Sequence, residues 1–250
     1  LHILMIVTFI EEYPTKENLA KLKLVSFPTK LYIAAESLDA FFKIKEKIKS
    51  KWVKEVIYWP LLKKEEGYWM SPFADRKALK RIMQETVNVP LLWDAEIPRK
   101  RILMLKNILF FHSNKKLIRN FLSSHKKDVY CAEYFPERGL FYYFLKALGL
   151  EFSAKEYGDY EVKMLYSSMH NYSKEFIKKE IEEGVEDSDG KFIPAFGTLR
   201  IGARGDEKKI SLEILERDLG IAKDAGVKEA IIFRLGGLTK EYAKLLKSYS

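Results

Sequence analysis

The sequence predicts an α/β fold, a (β/α)8 TIM-like barrel with one extra strand or hairpin, and three observations lead there. Short apolar or β-branched runs alternate with amphipathic stretches from one end of the chain to the other. That is the pattern of parallel strands joined by right-handed crossovers. The length of 250 residues is that of one such barrel, about 250 residues. No Pro/Gly/Ser-rich linker and no low-complexity segment divides the chain, so residues 1–250 read as one domain.

Taken in order, the strand candidates are residues 2–10, 30–35, 55–61, 89–96, 108–112, 129–135, 162–167, 192–200 and 230–235. Helical patterns lie around them at 16–23, 38–49, 75–85, 99–105, 115–123, 138–148, 174–183, 212–225 and 240–248. Parallel strands covered on both faces are continuously apolar, as Ile231-Ile232-Phe233 and Ile108-Leu109-Phe110 are. Ser173 and Thr239 stand where N-caps are wanted, and Gly184 and Gly226 where left-handed helix ends are wanted. Leu212, Leu215, Leu219, Ala222 and Ala225 recur at helical intervals and form one apolar stripe, with Glu213, Arg217, Asp218 and Asp224 elsewhere. Nine strand candidates exceed the eight of a closed barrel, so one is expected to lie outside it. An open doubly wound sheet would absorb nine, but its Gly-rich nucleotide turn is missing.

Composition narrows the function classes. Hydrophobic residues make up 47% and charged residues 32%, the latter above the usual quarter or so. Lys and Glu dominate and Gln84 is the only glutamine, a balance that resembles proteins of hyperthermophiles. The net charge of +9 invites nucleic acid as a partner, but the basic residues are spread along the chain and mostly sit beside acids. A dedicated nucleic-acid surface is therefore not expected. Cys131 stands alone in apolar surroundings and reads as a buried, inert thiol, which excludes a disulfide framework. The longest apolar run, residues 3–10, is too short to span a bilayer and lacks signal-peptide features. The reading is thus a cytoplasmic protein with no membrane partner and a small-molecule or carbohydrate ligand. Haem, flavin, nicotinamide and nucleotide signatures are lacking, so no cofactor and no metal are expected.

In barrels of this type the chemistry sits at the carboxyl ends of the strands. Those positions hold Glu11, Glu12, Glu36, Tyr58, Trp59, Asp94, Glu96, His112, Glu133, Tyr134, Ser167, His170, Arg200, Arg204 and Arg234. The most pointed segment is residues 89–98, where an apolar run ends in Asp94-Ala95-Glu96 before Pro98. Residues two apart in an extended chain project to one side, and a carboxylate pair so placed suits acid–base work. The segment resembles chitinases and endo-β-N-acetylglucosaminidases, barrels whose fourth strand ends in Asp-x-Asp-x-Glu. The resemblance implies Glu96 as the acid that protonates the glycosidic oxygen and Asp94 as the residue that orients the substrate's acetamido group. It also implies an acetamido-binding role for Tyr134 on the sixth strand. The first acid of that motif falls at Leu92, where this sequence departs from it.

Other segments supply further candidates. Glu133 interrupts an apolar strand, which points to a base, a ligand, a substrate anchor or an internal ion pair with Arg200 or Arg234. Tyr58-Trp59 and the longer loop through Trp69 offer aromatic faces suited to pyranose rings, or core filling. The glycine-spaced segments after residues 197 and 235 fit either a phosphate cradle with Arg200 and Arg204 or plain tight turns. Two competing readings stand beside the glycosidase one. A sugar isomerase of the xylose-isomerase type would draw metal ligands from Glu96, His112, Glu133 and His170. A non-catalytic barrel would bind a glycan or protein through its aromatic loop.

Overall fold

The computed structural model describes residues 5–98, 100–133, 140–150, 154–157, 159–203 and 205–250. Eight strands form a closed barrel in sequence order: β1 (Ile6–Glu11), β2 (Thr29–Ala35), β3 (Val53–Pro60), β4 (Leu91–Asp94), β5 (Val129–Glu133), β6 (Tyr160–Met164), β7 (Phe192–Gly197) and β8 (Glu229–Phe233). The ring closes where β1 pairs in parallel with β8, with Ile6 opposite Glu229 and Ile10 opposite Phe233. The crossovers carry α1 (Lys16–Leu19), α2 (Leu38–Lys45), α3 (Arg76–Glu85), α4 (Arg101–Asn107), α5 (Phe111–Ser124), α6 (Leu140–Leu148), α7 (Ala154–Tyr157), α8 (Ser167–His170), α9 (Lys174–Asp187) and α10 (Leu212–Asp224). The last helix, α11 (Lys240–Lys247), follows β8.

The surplus strand candidate is residues 108–112. There the chain forms a 3-10 turn, Ile108–Phe110, and the start of α5. The apolar run looks like a buried strand, but Ile108, Leu109 and Phe110 are exposed, so its hydrophobicity has another origin. His112 accordingly sits on a helix rather than at a strand end.

The chain divides into two compact units that interleave in sequence. The first comprises Leu1–Ala34, Ile44–Ile57 and Val162–Ser250. Its strands are apolar on both faces: Val7, Phe9, Leu31, Ile33, Ala195, Ile231 and Ile232 are buried. Ser173, Ser211 and Thr239 cap α9, α10 and α11 by accepting from the N–H of Phe176, Ile214 and Tyr242. The stripe on α10 buries Leu215, Leu219 and Ala222 as expected. Asp218 is buried too, against the expectation that it lies off the packed face. It is accommodated because Ser167 Oγ donates to its Oδ2 at 2.6 Å and Arg217 Nε to its Oδ1 at 2.8 Å. Gly226 ends α10 with φ +77° as expected. Gly184 does not end its helix. It lies within α9, and a Cβ there would stand 2.2 Å from the Phe192 ring.

The second unit comprises Ala35–Lys43 and Tyr58–Glu161. Its main core gathers Leu91, Trp93 and Ala95 with Val129 and Cys131 against Leu79, Ile82 and Met83 of α3 and Ile118 and Leu122 of α5. Asp75 caps α3, accepting from the N–H of Lys77 and Ala78. Asn114 Nδ2 donates to the carbonyls of Pro72 and Ala74, fixing the loop before α3 to α5. Cys131 is buried and in the thiol state, as its surroundings predict.

Candidate functional site

Each unit carries one group of strand-end residues. In the second unit, alternation along β4 decides which way its side chains face. Leu91, Trp93 and Ala95 belong to the helix-side core, so by the two-residue period Leu92 and Asp94 face away from it. Leu92 is buried and apolar where the resembling motif would place an acid. Asp94 ends β4 and is only 4% exposed. Glu96 lies two residues further, in the irregular segment after the strand, and is half-buried. The backbone N–H of Met70 donates to the Asp94 carbonyl at 2.8 Å, which ties the long loop after β3 to the end of β4.

For that loop the sequence left two readings, aromatic faces for a sugar and core filling, and burial favours the second. Tyr58, Trp59 and Trp69 are all buried. Tyr58 Oη donates to the Ala35 carbonyl at 3.2 Å, and burial, reinforced by the Glu85 carboxylate, pushes its phenol well above the usual range. Trp69 packs edge-on against Tyr68, ring centroids 4.9 Å apart. The turn into this pair needs Gly67 at φ +133°, where a Cβ would meet Ala74 at 2.9 Å. Trp59 Nε1 and Ser71 Oγ are buried with no hydrogen-bond partner among the described residues. Both belong to the chain that runs from the end of β3 to the loop tied to Asp94. Glu133 closes β5, while its side chain, Tyr134 and Arg204 lie outside the described residues.

In the first unit the centre is Glu11, the last residue of β1 and fully buried. Its Oε1 accepts from Arg234 Nη1 at 3.0 Å, Asn18 Nδ2 at 3.1 Å and the Tyr13 N–H at 2.8 Å. Its Oε2 accepts from the Gly236 N–H at 2.6 Å. Burial pushes the Glu11 carboxyl above its ordinary range, opposed by Arg234 and by the Tyr13, Gly236 and Asn18 donors. Arg234 is itself buried, with its guanidinium carbon 4.6 Å from the centre of the Tyr13 ring. Arg200 is exposed and donates to Asn18 Oδ1 at 2.9 Å and to the Gly236 carbonyl at 3.3 Å. The internal anion that Arg234 meets is thus Glu11, a pairing that no short motif encodes. The signal available in sequence was only an acid pair, Glu11-Glu12, at a strand end.

The glycines of the loop after β8 serve close approach, whereas Gly205 in the loop after β7 has open space around it and φ +81°. A Cβ on Gly237 would stand 2.2 Å from the Leu199 carbonyl oxygen, and one on Gly236 would stand 2.6 Å from the Asn18 side chain. The Gly236 N–H, a natural phosphate donor, is already taken by Glu11. Ser167, another strand-end candidate, is engaged with Asp218, and burial raises the Asp218 carboxyl while Ser167 and Arg217 pull it back. Among the described residues no three His, Cys, Asp or Glu side chains are grouped so as to hold a metal ion.

No family model matches the sequence, and no curated protein sequence does. Solved structures do match the fold. The glycoside hydrolase domain of PgaB (BpsB) from Bordetella bronchiseptica is 12% identical, with a TM-score of 0.53 over 92% of this chain and 94% of that one. The spore cortex-lytic enzyme SleL of Bacillus megaterium is 12% identical, with a TM-score of 0.56 over 98% of this chain and 74% of that one. A xylose isomerase domain protein from Planctomyces limnophilus is 9% identical, with a TM-score of 0.52 over 99% and 95%. At these identities the likeness is one of architecture, and it agrees with the closed strand order: the chain is a (β/α)8 TIM barrel.

Proposed function

We propose that this barrel acts on carbohydrate as a glycoside-hydrolase-like protein, with Glu96 as general acid and Asp94 as the residue that orients the substrate. The observation that carries the reading is Asp94, a carboxylate buried at the C-terminal end of β4 on the face turned from the helix-side core. Glu96 follows it at a half-buried position from which a proton can be delivered to a ligand. The buried Trp59 Nε1 and Ser71 Oγ offer a donor and a donor–acceptor for sugar hydroxyls. Barrels named for glycoside hydrolysis and cortex lysis among the structural neighbours are consistent with this chemistry. A substrate-facing role for Glu133 and Tyr134 and a binding role for Tyr58 and Trp69 belong to the same proposal, and a binding role for Arg200 and Arg234 is proposed at the Glu11 group of the first unit.

The test is a panel of 4-nitrophenyl glycosides, with the N-acetyl-β-glucosaminide first. Glu96→Gln is expected to lower kcat at least a hundredfold, within the range attributed to general acid catalysis, about 10²–10⁴, with unchanged thermal unfolding. Wild-type protein inert on every glycoside rejects hydrolysis. If it still binds a sugar in a manner sensitive to Trp69→Ala and indifferent to Glu96→Gln, the barrel is a binding module. The isomerase reading loses one of its four candidate ligands, because His112 lies on α5 rather than at a strand end.

A further inference from the structure

Against the expectation that basic residues are spread along the chain and sit beside acids, the net charge is concentrated in one segment. Residues 97–127, which run from the end of the β4 loop to just before β5, hold nine lysines and arginines and no acid. The whole chain has 44 basic and 35 acidic residues, so this segment accounts for the entire net charge of +9 and the remainder is balanced. The same segment displays apolar side chains to solvent. Ile102, Leu105, Ile108 and Phe110 are exposed, and Leu109 is 89% exposed.

The geometry explains how one segment does both. On α4, Leu103 and Asn107 face inward: Leu103 is buried and Asn107 Nδ2 donates to the Phe73 carbonyl. Ile102, Leu105, Lys106 and Leu109 follow at three- and four-residue steps and share the outward side. Met104 and Phe111 pack on a small core with Leu145 of α6, which places α6 beside them. That helix adds exposed Tyr143 and Phe144 and Leu140 at 91% exposure. Lys100, Lys106, Lys116, Arg119, Lys126 and Lys127 are exposed along the same stretch. None of these six cations makes an ion pair among the described residues. Monomeric soluble proteins rarely display apolar groups gathered like this, and gathered patches mark interaction sites.

We propose that α4, the 108–110 turn and α6 form a docking surface for an anionic lipid bilayer, on which the protein lies without spanning it. Exposed Leu, Ile, Phe and Tyr side chains among lysines and arginines are what an interfacial segment presents to headgroups and acyl chains. Charge selects this occupant over two others. A second copy meeting the face symmetrically would set one acid-free basic segment against another. Nucleic acid would satisfy the cations and leave Ile102, Leu105 and Leu109 facing a polar backbone. The expectation of no membrane partner rested on the lack of a span, and among the described residues no helix is long and apolar enough to cross a bilayer. A surface-lying segment needs none.

The test is flotation of the purified protein with vesicles of phosphatidylcholine alone and of phosphatidylcholine with 30% phosphatidylglycerol. Binding is expected on the anionic vesicles and to weaken as salt rises. Each exposed cation reversed among Lys106, Lys116 and Arg119 should weaken it about fivefold or more. Leu105→Ser/Leu109→Ser should release the protein at unchanged charge, with thermal unfolding confirming that this double variant and the three charge-reversal variants fold. Equal binding to neutral vesicles, no binding to either, or binding indifferent to Leu105→Ser/Leu109→Ser overturns the proposal. So does a dimer in sedimentation that Leu109→Asp dissolves while vesicles bind nothing, which would assign the face to self-association.

Discussion

Glu11 shows how much a single buried side chain can organise. Four donors converge on one carboxylate, and through Asn18 and Gly236 it is linked to Arg200 as well. Breaking a buried pair by removing one partner strands the other charge and costs about 3–5 kcal/mol. Glu11→Gln and Arg234→Met should each destabilise by that order in chemical denaturation, while the double variant should recover part of the loss. Additive effects below ~1 kcal/mol would show the pair to be energetically idle. His125 offers a pH-dependent counterpart. Its Nε2 donates to the Val89 carbonyl at 3.0 Å, and burial, its largest influence, holds its pKa below the ordinary 6.5. The folded state therefore favours the neutral ring. This contribution is complete above pH 6.5 and is lost as pH falls through that value toward the folded pKa. Melting temperatures at pH 7.5 and 5.5 should fall further for wild type than for His125→Asn.

Among elements, the caps and the alternating strands were legible because local chemistry dictates them. Ser173, Thr239 and Gly226 do in the structure what their positions predict. Gly184 was misread because a glycine near a helix end also permits something sequence cannot show, a neighbouring ring at the helix surface. Gly184→Ala should therefore cost about 1–3 kcal/mol through overpacking, and Phe192→Leu introduced with it should recover part of that. Gly226→Ala, with nothing within 4 Å but φ at +77°, should cost about 1–2 kcal/mol and gain nothing from Phe192→Leu. Urea midpoints for the four variants separate the two causes. Residues 108–112 illustrate the other kind of misreading. An apolar run states that a segment avoids water, not what covers it, and periodicity over five residues cannot separate a strand from a helical turn.

At the scale of the molecule, alternation and length were enough to predict the barrel, and strand pairing supplies the closure. The place of Asp94 at the end of β4 was legible, because the two-residue period and a strand end are both written in the sequence. The burial of Tyr58, Trp59 and Trp69 was not, since whether an aromatic loop folds inward depends on its tie to Asp94. Nor was the Glu11–Arg234 pair, whose members stand 223 positions apart.

That separation bears on how the protein comes into being. β1 is made first, yet one of its two neighbours, β8, ends at Phe233. The unit containing both strands is completed only by the last part of the chain, whereas most of the other unit is the continuous stretch Tyr58–Glu161. On the ribosome, where the N-terminal portion emerges first, residues 58–161 can become compact while the apolar edge of β1 still waits for its partner. Nascent chains arrested before β8 has emerged should thus expose β1 to chaperones, and release of the chain from the ribosome should conceal it.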